Sequence, residues 1–291
     1  MHLAGIIPVA GLVTDHETTY PEVLTPLCAG YTAIQRAVQE CAMAGCQTIW
    51  IVANNDLAPI VRKHVGEWVY DPVYYARNFN KFYSEQRKEI PIYYVPIHPR
   101  HRGRIDCYGW SVLYGAHSAW DTARRISKWI KPDKFYAAFP MSVYDVEQLR
   151  EHRRLIAHPK DNFFLCHGGL DITDDIPIAF TFTGEDFKRC RTNLKKKTTK
   201  EYLPPLPGQQ YPSQKLPLKE RWSARHFRLG EVFSELETST ANHINIDWYY
   251  DISTWEQYTK FISQKEIKKP YKALTEARFH VKIPYVDEVQ D

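Results

Sequence analysis

The residues best suited to chemistry gather in one stretch of this sequence. His98-Pro99-Arg100-His101-Arg102-Gly103-Arg104-Ile105-Asp106 holds three arginines and two histidines. Guanidinium forks match the paired oxygens of a phosphate or carboxylate. Arg100, Arg102 and Arg104 are therefore candidate phosphate-binding residues, with a solvated basic loop as the alternative. Tyr108 and Trp110 follow directly, with Gly109 between them. Their rings suit stacking on a base, or a place in an aromatic core. A second candidate is the turn Val9-Ala10-Gly11-Leu12. Its backbone amides can face an anion, and Gly11 permits close approach; a plain strand-to-loop turn is the other reading. Lys195-Lys196-Lys197, with Lys200 close by, reads first as a solvated loop and second as a phosphate or nucleic-acid contact.

The elements that must hold these residues alternate. Leu3 to Val9 reads as a buried strand running into the Ala10-Gly11 turn. Thr32 caps a helix whose apolar positions Ile34, Ala37, Val38, Cys41 and Ala42 fall at helical spacing, and Gly45 ends it. Thr48 to Ala53 is a second buried strand, so right-handed parallel pairing with the first is expected. A helix at Leu57–Val65, a strand at Ile92–Ile97, a long helix from about Val112 to Trp129, a strand at Phe135–Phe139 and a helix at Val146–Ile156 continue the pattern. Pro96 limits how centrally the third strand can pair. The basic stretch thus lies just past a strand's C-terminal end, where ligands bind in such sheets. Further on, Ile178–Thr183 alternates as a strand, and Phe187–Leu194 and Phe227–Leu236 read as helices. Asn245–Tyr250 reads as a strand before a helix at Ser253–Ile262. Between them LPPLPGQQYPSQKLP carries five prolines and forms an irregular excursion. No internal repeat is visible.

Composition narrows the function classes. With 44% hydrophobic and 25% charged residues, the 291-residue chain reads as a soluble globular protein. A net charge of +4 is too small for a general polyanion surface, so nucleic acid is not the expected partner. Aromatics reach 14%, which fits stacking surfaces, interfaces or a large aromatic core. The six cysteines form no CxxC pair and no Cys/His cluster with zinc spacing, and reduced thiols in a cytoplasmic protein fit best. The apolar start MHLAGIIPVAGLV lacks a basic n-region and meets Pro8 early, so it is not expected to be a signal peptide. No apolar run reaches the ~20 residues of a membrane span.

This order of elements resembles the sugar-1-phosphate nucleotidyltransferases over roughly residues 3–262. IIPVAG followed by PEVLTPLCAGYTAIQRAVQECAMAGCQTIWIV is similar to the family's opening strand, Gly-rich turn, Pro-Lys-Pro-Leu type segment, helix and strand. Gly109-Trp110-Ser111 before a helix is similar to its base and sugar contact segment. FYAAFPMSVYDVEQLREHRR resembles its central strand, metal turn and helix. FRLGEVFSELETS followed by INIDWYYDISTWEQYTKFI resembles its closing pattern, in which a Trp-x-Asp-x-Gly-Thr segment leads into a helix. The resemblance implies a mostly parallel mixed α/β sheet flanked by helices, of Rossmann-like type. It implies one domain over residues 1–262 and a polar tail over 263–291.

It also implies in-line attack of a sugar phosphate on a nucleoside triphosphate. That chemistry uses backbone amides, cations and Mg²⁺ on two aspartates. Val9, Ala10, Gly11, Leu12, Tyr108, Gly109 and Trp110 then become nucleotide-binding candidates. Asp251 becomes the candidate metal ligand, with Asp247 near it. Here the sequence departs from the family. Asp15 stands at or near the family's arginine, Pro21-Glu22 replaces Pro-Lys, and Met141 replaces a metal aspartate. A thioether does not ligate Mg²⁺. Reversing a charge about 4 Å from a phosphate moves the interaction by about 8 kcal/mol at an effective dielectric near 20. Three expectations stand. The first is a divergent nucleotidyltransferase whose cations come from the basic stretch, acting on a nucleoside triphosphate or nucleotide sugar, with Mg²⁺ possible and an oligomer possible. The second is a non-catalytic descendant that binds a nucleotide, a nucleotide sugar or a protein. The third, a glycosyltransferase of related fold, lacks the Asp-x-Asp it would need.

Overall fold

The computed structural model describes residues 2–75, 89–97, 107–126, 131–158, 160–198, 203–215, 227–265 and 267. Strand β1, Leu3–Pro8, is buried along its whole length. Its side chains alternate between two cores. Leu3 and Ile7 belong to one, with Ile34, Ala37, Ile49 and Ile51. Ala4 and Ile6 belong to the other, with Val52, Val112 and Leu113. Such two-sided burial explains the continuous apolar run, since a central parallel strand has no solvent face.

β1 is flanked on one side by β4 (Thr48–Asn54) and on the other by β7 (Lys134–Ala137), both parallel to it. Two small hairpin strands, β2 (Pro26–Cys28) and β3 (Tyr31–Thr32), pair apart from the main sheet. β5 (Trp68–Tyr70) and β6 (Glu89–Ile97) extend the sheet beyond β4. β9 (Phe163–Cys166), β10 (Phe180–Thr183) and β11 (Asn242–Asn245) extend it beyond β7. The eight-stranded order is β11-β9-β10-β7-β1-β4-β6-β5, with β10 and β5 antiparallel to their neighbours. A separate antiparallel pair joins β8 (Ser142–Val143) to β12 (Tyr250–Asp251). The expected mixed, mostly parallel α/β sheet is the observed one.

Helix α1, Ala33–Ala44, begins as read: Thr32 is its N-cap, and the Gln35 side chain accepts from the Thr32 N–H at 3.0 Å. Gly45 closes it at φ 93°. Helices α2 (Ala58–Val65) and α3 (Pro72–Tyr75) follow β4 and β5. Helix α4, Tyr108–Ile126, covers the other face. A Cβ on its Gly115 would lie 2.7 Å from both Ile6 and Val52, so only glycine lets this helix rest on β1 and β4. Helix α5 (Leu149–Ile156) packs beside α1, and α6 (Gly184–Thr198), α7 (Leu229–Val232) and α8 (Trp255–Gln264) complete the layers. Among the described residues no helix is long and apolar enough to cross a membrane.

Several sequence expectations shift. α4 begins at Tyr108, four positions before Val112. β5 and β9 are strands the reading did not name. The expected strand Asn245–Tyr250 is instead two short strands in different sheets, β11 and β12, because β11 pairs with β9 and β12 with β8. The expected helix at 227–236 is the single turn α7. Most of the 263–291 tail lies outside the described residues.

Candidate functional site

The site is built where β1 and β4 end. The Val9 and Ala10 amides both donate to the Val52 carbonyl, at 2.8 and 2.9 Å, and the Leu12 amide donates to the Val9 carbonyl at 3.4 Å. These amides close a turn on the sheet itself, so they are committed within the protein. Gly11 has φ 78°, and a Cβ there would stand 2.7 Å from the Cys107 carbonyl carbon and 2.8 Å from the Tyr108 amide nitrogen. Its glycine character follows from the first turn of α4 pressing on it. Ser111 Oγ donates to the Ala10 carbonyl at 2.7 Å and locks the two together.

The aromatic candidates face inward. Trp110 is 7% exposed and sits in the core with Val112 and Phe139, so its ring offers little face to a base. A Cβ on Gly109 would come within 3.0–3.2 Å of Val232, so this glycine admits α7. The Tyr108 ring lies 5.2 Å from Phe139. Burial, and then the Asp251 carboxylate, push its phenol above the usual range. Its hydroxyl is buried without a hydrogen-bond partner among the described residues.

Asp251 does join this group, although it lies 240 positions from Gly11 in sequence. β12 pairs with β8 so that Asp251 stands opposite Ser142, and the Ile252 amide donates to the Met141 carbonyl at 2.8 Å. Burial raises the Asp251 pKa, partly offset by the Ser253 side chain and by the Ser253 amide, which donates to its Oδ1 at 3.1 Å. Met141 is buried in a small core with Val143 of β8 and Ile252 just after β12. One carboxylate with an oxygen already engaged, and a thioether at the position where the resemblance places the second acid, does not fit Mg²⁺ held by two protein acids. That holds among the described residues.

The two acids with reversed charge have different positions. The Asp15 carboxylate accepts from the Trp255 amide at 2.5 Å, at the first residue of α8, and the Asp15 amide donates to the Ser253 carbonyl at 3.2 Å. His16 packs between Trp255 and Tyr258. Asp15 therefore adds an acceptor at the start of a helix whose N-cap is Thr254. Glu22 instead lines a pocket of about 360 Å³ formed with Val9, Gly11, Leu12, Asn54 and Leu57. The Asn54 Oδ1 is buried and has no hydrogen-bond partner among the described residues. The Glu22 carboxylate accepts, so this pocket suits a ligand that presents N–H or O–H groups.

The sequence reading missed a support behind the site. Arg36 and Glu40, 1% and 0% exposed, pair at 2.8 Å across one turn of α1. Arg36 also donates to the Phe139 carbonyl at 2.6 Å, and the Tyr136 hydroxyl donates to Glu40 at 2.9 Å. The pair fixes the Phe139-Pro140-Met141 turn against α1. The i,i+4 spacing of opposite charges inside an apolar helix face was the available signal. Arg100, Arg102, Arg104 and Lys200 lie outside the described residues; Lys195, Lys196 and Lys197 end α6, far along the chain from this pocket. A larger concavity, of about 780 Å³, lies at the opposite end of β7, around Asp133, Asn162 and the start of α6.

Solved structures match this arrangement over nearly the whole chain. A Bacillus anthracis protein assigned as a glucose-1-phosphate thymidylyltransferase, in complex with sucrose, is similar with a TM-score of 0.56 and 10% identity, covering 92% of this chain and 98% of that one. A UTP-bound UGPase from Acinetobacter baumannii gives 0.55 and 12%, covering 97% of this chain and 100% of its own. A UDP-glucose pyrophosphorylase complexed with UDP-glucose gives 0.50 and 14%, covering 90% and 98%. The chain has the sugar-1-phosphate nucleotidyltransferase fold. No protein-family model matches the sequence, and no curated protein matches it. On this fold the chain closes the Val9 and Ala10 amides on β4 and sets the Asp15 carboxylate at the start of α8.

Proposed function

We propose that this chain binds the nucleoside portion of a nucleotide or nucleotide sugar in the pocket beside Gly11, and that ordinary triphosphate-dependent nucleotidyl transfer is weak or absent. The observation that carries this reading is Glu22 on the wall of the pocket, next to the Gly11 turn. An imide or amino N–H of a base, or a ribose hydroxyl, matches its carboxylate as an acceptor, whereas a triphosphate meets the Glu22 charge. The fold neighbours bound to UTP and to UDP-glucose support the ligand class. Calorimetric titration with nucleosides, nucleoside triphosphates and nucleotide sugars tests it, beside a turnover assay with a panel of sugar 1-phosphates. Binding of nucleoside or nucleotide sugar with little turnover supports the reading. Rapid pyrophosphate release, or no binding by any of the ligands, overturns it.

A second reading keeps catalysis. Ile97 ends β6 next to β4, and Cys107 abuts Gly11. The segment carrying Arg100, Arg102 and Arg104 is therefore flanked by site residues at both ends, which favours these arginines as the replacement cations. Should turnover be found, replacing all three by alanine is expected to abolish it; retained turnover eliminates this reading.

A further inference from the structure

The far edge of the sheet brings together three side chains that no spacing in the sequence connects. Cys166 closes β9. His243 lies on β11, whose parallel register sets it opposite Phe164 and Asn245 opposite Cys166. Asp171 caps the turn that follows the Gly168-Gly169 loop. The Cys166 Sγ, a His243 ring nitrogen and an Asp171 carboxylate oxygen all lie within 4.8 Å of one another. Cys166 Sγ to His243 Nδ1 is 3.5 Å, and His243 Nδ1 to Asp171 Oδ2 is 3.7 Å. A tetrahedral Zn²⁺, with sulfur at about 2.3 Å, imidazole nitrogen at about 2.05 Å and carboxylate oxygen at about 2.1 Å, sets sulfur and nitrogen about 3.6 Å apart and nitrogen and oxygen about 3.4 Å apart. These two spacings need only a few tenths of an ångström of adjustment, and the sulfur and the carboxylate oxygen lie within 4.8 Å of each other.

Each donor is held by a different structural device. The Cys166 backbone is paired in the sheet and accepts from the Ile246 amide at 2.8 Å. The His243 ring stacks on Phe164, with centroids 5.3 Å apart and planes 13° from parallel. Asp171 Oδ1 accepts from the Thr173 amide at 2.8 Å and from the Thr173 hydroxyl at 2.6 Å. That fixes the carboxylate and leaves Oδ2 turned toward His243. Supports of this kind around ligands are what orient a metal site.

We propose that Cys166, Asp171 and His243 form a binding site for a borderline transition-metal ion, zinc above all, with a fourth coordination position open to solvent. Thiolate and imidazole select such an ion over Mg²⁺. Binding displaces the Cys166 thiol proton to solvent as the sulfur–metal bond forms. His243 is 43% exposed, so the ion has an entry path. The site ties the edge strand β11 to β9 and to the Asp171 turn. It is separate from Asp251 and does not depend on the nucleotide proposal.

The experiment uses the full chain, stripped with a chelator and dialysed, then titrated with Zn²⁺ alone and with Co²⁺ alone. The expected result is one zinc per chain and a thiolate-to-cobalt charge-transfer band. C166A should abolish the band. H243Q, at a half-exposed ring with little effect on the core, should weaken cobalt binding at least tenfold while circular dichroism stays unchanged. D171N should weaken it likewise, and C28A should leave the band intact. No band in the wild type, or a band that survives in C166A, overturns the proposal. So does unchanged affinity in both H243Q and D171N, which would leave only a thiol binding metal by itself.

Discussion

Asp15→Arg and Glu22→Lys, made singly, separate two roles that look alike in the sequence. Both acids stand where the resemblance places cations, so charge alone predicts that reversing either one raises triphosphate affinity. In the structure only Glu22 faces the pocket. At about 5 Å from a phosphate in a solvent-open pocket, one unit charge is worth about 0.8 kcal/mol. Reversal is then worth about 1.7 kcal/mol, or roughly fifteenfold to twentyfold in Kd, and more where water is excluded. Asp15→Arg should leave affinity unchanged and lower stability instead. It removes the acceptor of the Trp255 amide at the helix start, worth about 1 kcal/mol. It also exchanges a favourable for an unfavourable charge at the start of α8, about 0.3–1 kcal/mol each way. Asp15 is exposed, so the lower end applies, about 1.5–2 kcal/mol, or about 3–4 °C in Tm. Asp15→Asn keeps an oxygen acceptor and should lose only the charge contribution. Calorimetry of nucleoside triphosphate binding and thermal unfolding read the two effects separately. An affinity gain in Asp15→Arg equal to that in Glu22→Lys would refute the assignment of the two acids, as would a Glu22→Lys protein that binds no better than wild type.

Gly11→Ala forces a left-handed φ on a residue with a Cβ, about 1–3 kcal/mol, and drives that Cβ into the Cys107–Tyr108 backbone; a denaturant midpoint within error of wild type would show that the turn is looser than described. Glu40→Ala leaves Arg36 buried without its partner and should cost about 3–5 kcal/mol, whereas Arg36→Met with Glu40→Leu should cost far less; equal losses in the two proteins would count against an ion pair as the cause. Asp186, 1% exposed, gives a pH dependence. Burial alone would raise its pKa, but hydrogen bonds from Asn162, Thr183 and Arg189 outweigh burial and hold it below the usual range. A depressed folded pKa contributes stability that is present above the unfolded aspartate value near 4 and is lost as pH falls through the folded value. The stability gap between wild type and Asp186→Asn should therefore narrow from pH 6 toward pH 2, and parallel curves would exclude this role.

The central half of the fold was legible because parallel strands buried on both faces leave unbroken apolar runs. LAGIIP and TIWIVAN announce β1 and β4, and Thr32 and Gly45 mark the ends of α1 by known capping chemistry. The edges were not legible. β5 and β9 are three and four residues long, too short for periodicity to register. NHIN and the later Tyr250-Asp251 looked like one strand because nothing local shows that the chain changes sheets between them. Asp251 was found only through its motif context, and the structure does bring it near Tyr108 and Met141. Cys166, Asp171 and His243 had no local signature, since β-sheet register alone joins residues 77 positions apart.

Glycine and aromatic residues were legible in position but ambiguous in purpose. Gly11 and Gly109 stand where a ligand-binding backbone would want glycine, yet each is required by a neighbouring helix, α4 in one case and α7 in the other. Trp110 stands where a stacking ring is wanted and fills the core. Asp15 stands where a cation is wanted and adds an acceptor at the start of α8. In all four cases a position to which the resemblance assigns a ligand serves packing or capping in the structure. Glu22 has no such internal duty among the described contacts, so it remains the acid that lines this pocket. On the proposed reading, a pocket that keeps this acceptor while its neighbours serve the fold favours a donor-rich ligand over a triphosphate.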